Sequence, residues 1–303
     1  IIPLFIGYEI PRDTICWRTV ILKVGEFPIV GVPVKINGKK TGRWETQILD
    51  SKLNWAITED GSYANFYGRG TFCSPITSAK VLVIGIGAIG SILSKTLVRA
   101  RIRHIDLVDY DTKQPENICR SEYFFTQGIS NKTNELKNIL EEISPHVDVG
   151  ILNPPFFEFG TKVFNRNSDD RALLENFFED YDIVFDCSTD NDLMYVLNTL
   201  KLKNDLINIS ITNHANDLVC AYHPRIYDFV NTQFNDILEN DLGDLYNPIG
   251  CWSPTFKASY NDINTLVQYA LKRINHAFDN GDKKNFVISS EEANGDKLKM
   301  IEY

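Results

Sequence analysis

The residues best suited to chemistry fall between positions 80 and 191 of this 303-residue chain. An apolar run, Lys80-Val-Leu-Val-Ile84, leads into Gly85-x-Gly87-x-x-Gly90. A second run closes on Val108-Asp-Tyr-Asp111, with Asp109 nineteen residues beyond Gly90. Asn117, Arg120 and Lys132 follow, and a later apolar run ends in Asp186-Cys-Ser-Thr-Asp190-Asn191. Glycines at that spacing let backbone amides and a helix N-terminus approach a phosphate, and an acid ending the second strand suits ribose hydroxyls. Both features fit NAD(P) as well as ATP, and each alone has a plain structural reading as a tight turn or a capping acid. An NAD(P)-dependent oxidoreductase, however, leaves Asn117, Arg120, Lys132 and Asp190 unexplained. An enzyme that cleaves ATP does use such a set. Fixed cations, an amide donor and Mg²⁺ stabilise charge on the phosphoryl oxygens and on departing pyrophosphate.

The elements that must hold these residues alternate in type. Strands are predicted at Lys80–Ile84, Ile105–Val108, Val147–Leu152, Asp182–Cys187, Leu206–Ile211 and Leu218–Tyr222. Helices are predicted from Asn131 to Ile143, with Leu136, Ile139, Leu140 and Ile143 on one face and Pro145 ending it, and from about Tyr260 to Ala277. Another follows Asp190, with Leu193, Val196, Leu197 and Leu200 on its apolar side. This pattern is α/β: a doubly wound, Rossmann-like sheet with ligand at the carboxyl ends of its strands. Residues 1–70 differ. Short β-type runs at Thr19–Val24, Val32–Ile36 and Leu53–Ile57, parted by Asn37-Gly38 and Asp60-Gly61, predict a small β-rich segment before a domain spanning 71–303. The stretch from Tyr222 to Gly250 reads as irregular and acidic.

Composition narrows the classes further. A net charge of -9 argues against a nucleic-acid surface, and no apolar stretch approaches the roughly 20 residues that span a bilayer. Six cysteines without a CxxC pair argue against a disulfide scaffold or a four-cysteine zinc site, and for a reducing cytoplasm. The initial Ile1 implies a processed or truncated N-terminus. His104, His146, His214, His223 and His276 show no ligand spacing.

The ordered set of GxGxxG, D-x-D, N-x-x-R, a helix-opening Lys and T-D-N resembles the ThiF/MoeB/HesA family, the adenylating core of ubiquitin-activating enzymes. The resemblance covers about residues 78–275. It implies ATP and Mg²⁺ as cofactors, adenylation of the C-terminal carboxylate of a ubiquitin-like or sulfur-carrier-like protein, and a homodimer. It implies that Gly85, Gly87, Gly90, Asp109 and Asp111 bind the nucleotide, that Asn117, Arg120 and Lys132 contact its phosphates, and that Asp190 holds the metal. Arg69 is then the arginine that reaches a partner's triphosphate. Cys251, in Gly250-Cys-Trp-Ser-Pro254, occupies the place of an acceptor thiol before the last core helix, where Lys257 and the helix N-terminus after Ser259 can favour a thiolate. Cys220 is a second candidate, whereas Cys119 and Cys187 read as packing residues. The chain departs from the family at Ser121, where most members have Gln, and by one residue inserted between Asp186 and Thr189. Tyr222-His-Pro-Arg225 stands where a zinc-binding CxxC would begin, so no zinc is expected. The wording around Asn54-Trp-Ala56, Phe66–Gly70 and Gly250–Pro254 is similar to bacterial members of anti-phage conjugation systems, which implies an accompanying conjugating enzyme. A non-catalytic scaffold of the same fold is the remaining alternative, although such halves lose the phosphate-contacting residues.

Overall fold

The computed structural model describes residues 2–10, 14–22, 29–46, 54–152, 168–239, 258–291 and 294–303. The chain divides into two units, Ile1–Phe66 and Tyr67–Tyr303. In the first, strands β1 (Ile2–Ile10), β2 (Thr14–Leu22) and β5 (Asn54–Ala56) form an antiparallel sheet. Strands β3 (Ile29–Ile36) and β4 (Lys39–Thr46) pair as a hairpin. Its two-residue turn is Asn37-Gly38, both at positive φ (51° and 78°), which Asn and Gly tolerate best. At Asp60-Gly61 the chain turns by a side-chain device. Asp60 Oδ1 accepts the Ser62 amide at 2.8 Å, ahead of a short helix α1 (Tyr63–Phe66).

In the second unit, Tyr67 is buried and its hydroxyl donates to the Val98 carbonyl at 3.0 Å. A short helix α2 (Ser74–Thr77) leads to β6 (Lys80–Ile84), in which Val81, Leu82, Val83 and Ile84 are fully enclosed. Burial on both faces is the mark of a central strand in a parallel sheet. The chain continues through α3 (Ala88–Arg99), β7 (His104–Val108), α4 (Pro115–Ile118), α5 (Lys132–Ile143) and β8 (Asp148–Ile151). It then forms α6 (Ser168–Glu179), β9 (Ile183–Asp186), α7 (Asn191–Thr199), β10 (Asp205–Thr212) and β11 (Asp217–Tyr222). The remaining elements are α8 (Ile226–Ile237), α9 (Tyr260–Asn280), β12 (Phe286–Glu291) and β13 (Asn294–Glu302).

Among the described residues the sheet runs β13-β12-β11-β10-β9-β6-β7-β8. Pairing is parallel from β10 to β8 and antiparallel from β10 to β13. Helices α3, α5 and α9 pack their apolar stripes on one face, and α6, α7 and α8 on the other. The sheet is therefore doubly wound. From β6 the chain winds outward to β7 and β8, then returns to place β9 on the other side of β6. The gap above β6 and β9 is thus the topological switch point, where such sheets bind ligands.

Two expectations need correction. Residues 226–237 are not irregular: they form α8, with Ile226 and Val230 buried on the sheet. Ile226, Val230, Phe234 and Ile237 keep a helical period, which the intervening Asp and Asn residues obscure. The C-terminal hairpin of β12 and β13, absent from the predicted elements, extends the sheet by two antiparallel strands.

Candidate nucleotide-binding site

The loop after β6 is built for close approach. Gly85 lies at φ +76°, and a Cβ there would fall 2.4 Å from Ser188 Cα, so the β6 loop and the β9 loop touch backbone to backbone. A Cβ on Gly90 would fall 2.1 Å from the Gly85 carbonyl oxygen, so its absence lets α3 pack on the loop. Gly87 differs: its Cβ would meet nothing within 4 Å. Among the described residues no contact requires glycine there, and Gly87 borders an open cleft.

That cleft has a volume of about 800 Å³ and sits at the switch point. Gly85, Gly87, Asp109, Asp111, Asn117, Arg120 and Lys132 all line it, as do Tyr123, Ser188 and Thr189. Gly90 and Asp190 do not. Gly90 supports the loop from behind, and Asp190 caps α7.

Asp109 is locked to the glycine loop. Its Oδ2 accepts the Ile86 amide and its Oδ1 the Asp111 amide, each at 2.9 Å. Burial pushes its carboxyl above the ordinary value, against the opposing pull of Lys132 and these amides. Lys132 is itself buried, with Nζ 2.7 Å from Asp111 Oδ2 and 3.7 Å from Asp109 Oδ1. A cation opening a helix is disfavoured by the macrodipole, and the two acids offset that cost within the chain. Asn117 sits in the first turn of α4, where its Oδ1 accepts the Gln114 amide at 3.2 Å and completes a capping box. Ser121, in place of the family's Gln, turns inward and donates to the Asn117 carbonyl at 2.6 Å. Arg120 is half-buried on the same wall. Tyr123, which no motif marks, is buried and donates its hydroxyl to the Ile86 carbonyl, pinning the glycine loop from the far side.

On the opposite wall the inserted residue has a defined job. Asp186 is fully buried, and burial raises its carboxyl above the ordinary range despite bonds from Ser188 and Asn208. It accepts the Ser188 hydroxyl at 2.7 Å and the Ser188 amide at 3.1 Å. Thr189 then takes φ +56°, and Asp190 Oδ1 receives the amides of Asp192 and Leu193, both at 3.0 Å. Asp190 is therefore an N-cap in the first place. Both cap bonds go to Oδ1 and neither to Oδ2. Among the described residues no group of three His, Cys, Asp or Glu side chains converges to hold a metal. One carboxylate oxygen beside a phosphate site fits Mg²⁺ that arrives with a nucleotide, since Mg²⁺ takes most of its ligands from phosphates and water.

The cysteines sort by burial. Cys220, on β11, and Cys187, after β9, are enclosed, and burial drives both thiols up, away from a reactive thiolate. Cys119 is exposed and borders the cleft, so its reading as a packing residue is corrected. Cys251 and Lys257 lie outside the described residues. Arg69 is exposed, two residues after the buried Tyr67, and does not line the cleft of its own chain.

A model of the ThiF family matches residues 62–213, about half of the chain. The chain belongs to the ThiF family. It is 25% identical over 245 residues to the ATP-dependent ubiquitin transferase-like protein Cap2 of Enterobacter hormaechei, covering 78% of this chain and 39% of that protein. It is also 27% identical over 117 residues to the molybdopterin-synthase adenylyltransferase of Haemophilus influenzae, covering 38% of this chain and 42% of that protein. This ThiF-family chain thus spans about two fifths of the length of either relative. In fold it is similar to Escherichia coli MccB solved with ATP, with a TM-score of 0.51 at 17% identity over 76% of this chain and 64% of that one. The matched family region contains the glycine loop, both acids of the D-x-D, Asn117, Arg120, Lys132 and Asp190. Among the described residues no helix is long and apolar enough to cross a membrane.

Proposed function

We propose that this ThiF-family chain is an adenylating enzyme that uses ATP and Mg²⁺ to activate the C-terminal carboxylate of a ubiquitin-like or sulfur-carrier protein. One observation carries the reading: Lys132 and Arg120 line the same cleft as the glycine loop and the buried Asp109. An NAD(P)-dependent oxidoreductase would need only the last two. In the adenylating reading, Asp109 and Asp111 take the ribose hydroxyls, and the loop amides with the N-terminus of α3 take the phosphates. The substrate carboxylate oxygen forms a bond to the α-phosphorus as the bond to pyrophosphate breaks. Arg120, Lys132 and the Asn117 amide stabilise the negative charge that gathers on the phosphoryl oxygens and the leaving group. Mg²⁺ bound with the nucleotide would be held by Asp190 on the protein side and would supply further charge neutralisation.

Later steps rest on position in the chain. Cys220 is sealed in β11, which favours Cys251 as a thiol that would attack the acyl-adenylate and release AMP. The relative named as ubiquitin transferase-like supports a ubiquitin-like substrate, whereas a conjugating enzyme downstream and a place in antiviral defence rest on the resemblance around Asn54-Trp-Ala56 and Gly250–Pro254. A homodimer would let Arg69 reach a partner's triphosphate. The free cysteines among the described residues fit a reducing cytoplasm.

Pyrophosphate exchange tests the reading. With ATP, Mg²⁺ and a ubiquitin-like protein encoded beside this chain's gene, labelled pyrophosphate should enter ATP. In Lys132→Ala that rate should fall by about 100-fold or more, as for loss of a transition-state donor. Tighter binding of NAD than of ATP would overturn the proposal.

A further inference from the structure

Behind the cleft wall lies a buried ion pair that the proposed chemistry does not use. Lys113 and Glu135 are 3% and 5% exposed, with Nζ 2.6 Å from Oε2. Neither lines the cleft. Desolvating two charges is costly, so such a pair persists only where its other hydrogen-bonding positions are filled. Here they are. Lys113 Nζ also donates to the Phe124 carbonyl at 2.6 Å, while Glu135 accepts the Ser130 hydroxyl at 2.5 Å and the Phe124 amide at 2.8 Å. Burial pushes the Glu135 carboxyl up, but the bonds from Lys113, Ser130 and Phe124 outweigh it and hold it below its ordinary value.

The pair therefore ties three segments together, and each carries part of the nucleotide site. The first is Asp111–Lys113, which follows Asp109. The second ends at Phe124 and carries Asn117 and Arg120. The third is Ser130–Glu135, which carries Lys132. Backbone bonds complete the join: the Lys113 amide donates to the Ser130 carbonyl at 2.8 Å, and the Lys132 amide to the Asp111 carbonyl at 3.2 Å.

Resting on the nucleotide reading above, we infer that Lys113 and Glu135 are positioning residues that set the spacing of Arg120 and Lys132, and so the preference for a triphosphate over a monophosphate. Stability alone is a weak reason for the pair, because replacing both members of a buried ion pair by uncharged residues is often neutral. Geometry gives it a reason. The pair fixes where two cations on separate segments stand, while the Ile86 and Asp111 amides fix Asp109 independently.

The test is the ratio of AMP to ATP dissociation constants, measured by calorimetric titration with Mg²⁺ present. Lys113→Met/Glu135→Gln removes both charges yet keeps an acceptor for the Phe124 amide, while the Ser130 hydroxyl can rotate to accept from the new side-chain amide. It should melt within a few degrees of the parent, bind AMP within twofold, and bind ATP at least tenfold more weakly. Lys113→Arg, which keeps the charge, should retain most of the ratio. If the double variant does not fold, Ser130→Ala loosens one contact to Glu135 and should lower the ratio about threefold. A folded variant with the parent's ratio overturns the positioning role and leaves the nucleotide reading intact. A parent protein that binds neither nucleotide overturns both.

Discussion

The three glycines of the loop should separate folding from binding when each is changed to alanine. In Gly85→Ala the new residue must hold φ near +76°, which costs an L-residue about 1–2 kcal/mol. Its methyl group also falls 2.4 Å from a backbone atom of Ser188, an overlap worth about 1–3 kcal/mol because neither loop can move freely. A loss of about 2–5 kcal/mol lowers the melting temperature of a unit this size by roughly 5–20 °C. Gly90→Ala meets the Gly85 carbonyl at 2.1 Å, and that overlap outweighs the gain of about 1 kcal/mol from replacing glycine in a helix. Gly87→Ala meets nothing within 4 Å, so its stability should stay within about 1 kcal/mol of the parent. Its methyl group instead enters the cleft where a phosphate would lie against the loop amides. Overpacking of about 1–3 kcal/mol there corresponds to about a 5- to 150-fold loss of ATP affinity. Scanning calorimetry gives the first quantity and titration with ATP and Mg²⁺ the second. The reasoning fails if Gly87→Ala melts as early as Gly85→Ala, or if it folds normally and binds ATP as the parent does.

The remaining predictions concern the opposite wall and the cysteines. Asp190→Asn should keep its stability within about 0.5 kcal/mol, since Asn caps helices as well as Asp, yet should need more Mg²⁺ for pyrophosphate exchange; an unchanged metal requirement would leave Asp190 as a cap only. Iodoacetamide should label Cys119 in the native protein, and ATP should slow that labelling, whereas Cys187 and Cys220 should react only after unfolding, as peptide mapping would report. Labelling of Cys119 that ATP leaves unchanged would place the nucleotide elsewhere.

Much of this architecture is legible in the sequence because the relevant signals are local. The run Val81–Ile84, the glycines after it and the Leu136, Ile139, Leu140 stripe each depend on neighbours within one element. Strand-end acids such as Asp109 are legible for the same reason, since the order of elements places them at one edge of the sheet. What escaped notice depends on long-range partners. Lys113 and Glu135 stand 22 residues apart and match no motif, and either alone reads as a surface charge. Tyr123 reaches Ile86 across 37 residues. The capping role of Asp190 was readable, because an Asp before an apolar helical period is a standard start signal. The family motif drew attention to its charge instead. Its geometry depends on Ser188 and Asp186, whose bonds set the turn that brings Asp190 to the helix start.

The charge arrangement also bears on what the proposed Mg²⁺ would do. Lys132 is held by Asp111 and Asp109, so its positive charge is already balanced when the cleft holds no nucleotide. A triphosphate approaching Lys132 therefore approaches two carboxylates as well, and one cation cannot serve all three. Asp111 is half exposed at its side chain and can swing away from Lys132, whereas Asp109 is held in place by two backbone amides. The nucleotide must then displace Asp111 from Lys132 or bring its own positive charge. In the proposed reaction, Mg²⁺ on the phosphates would supply that charge, and an Asp111 carboxylate released from Lys132 would be free to meet the ribose. On this logic the D-x-D motif has two unequal members: Asp109 shapes the loop, and Asp111 balances the charge of buried Lys132, a partner that the phosphates would replace.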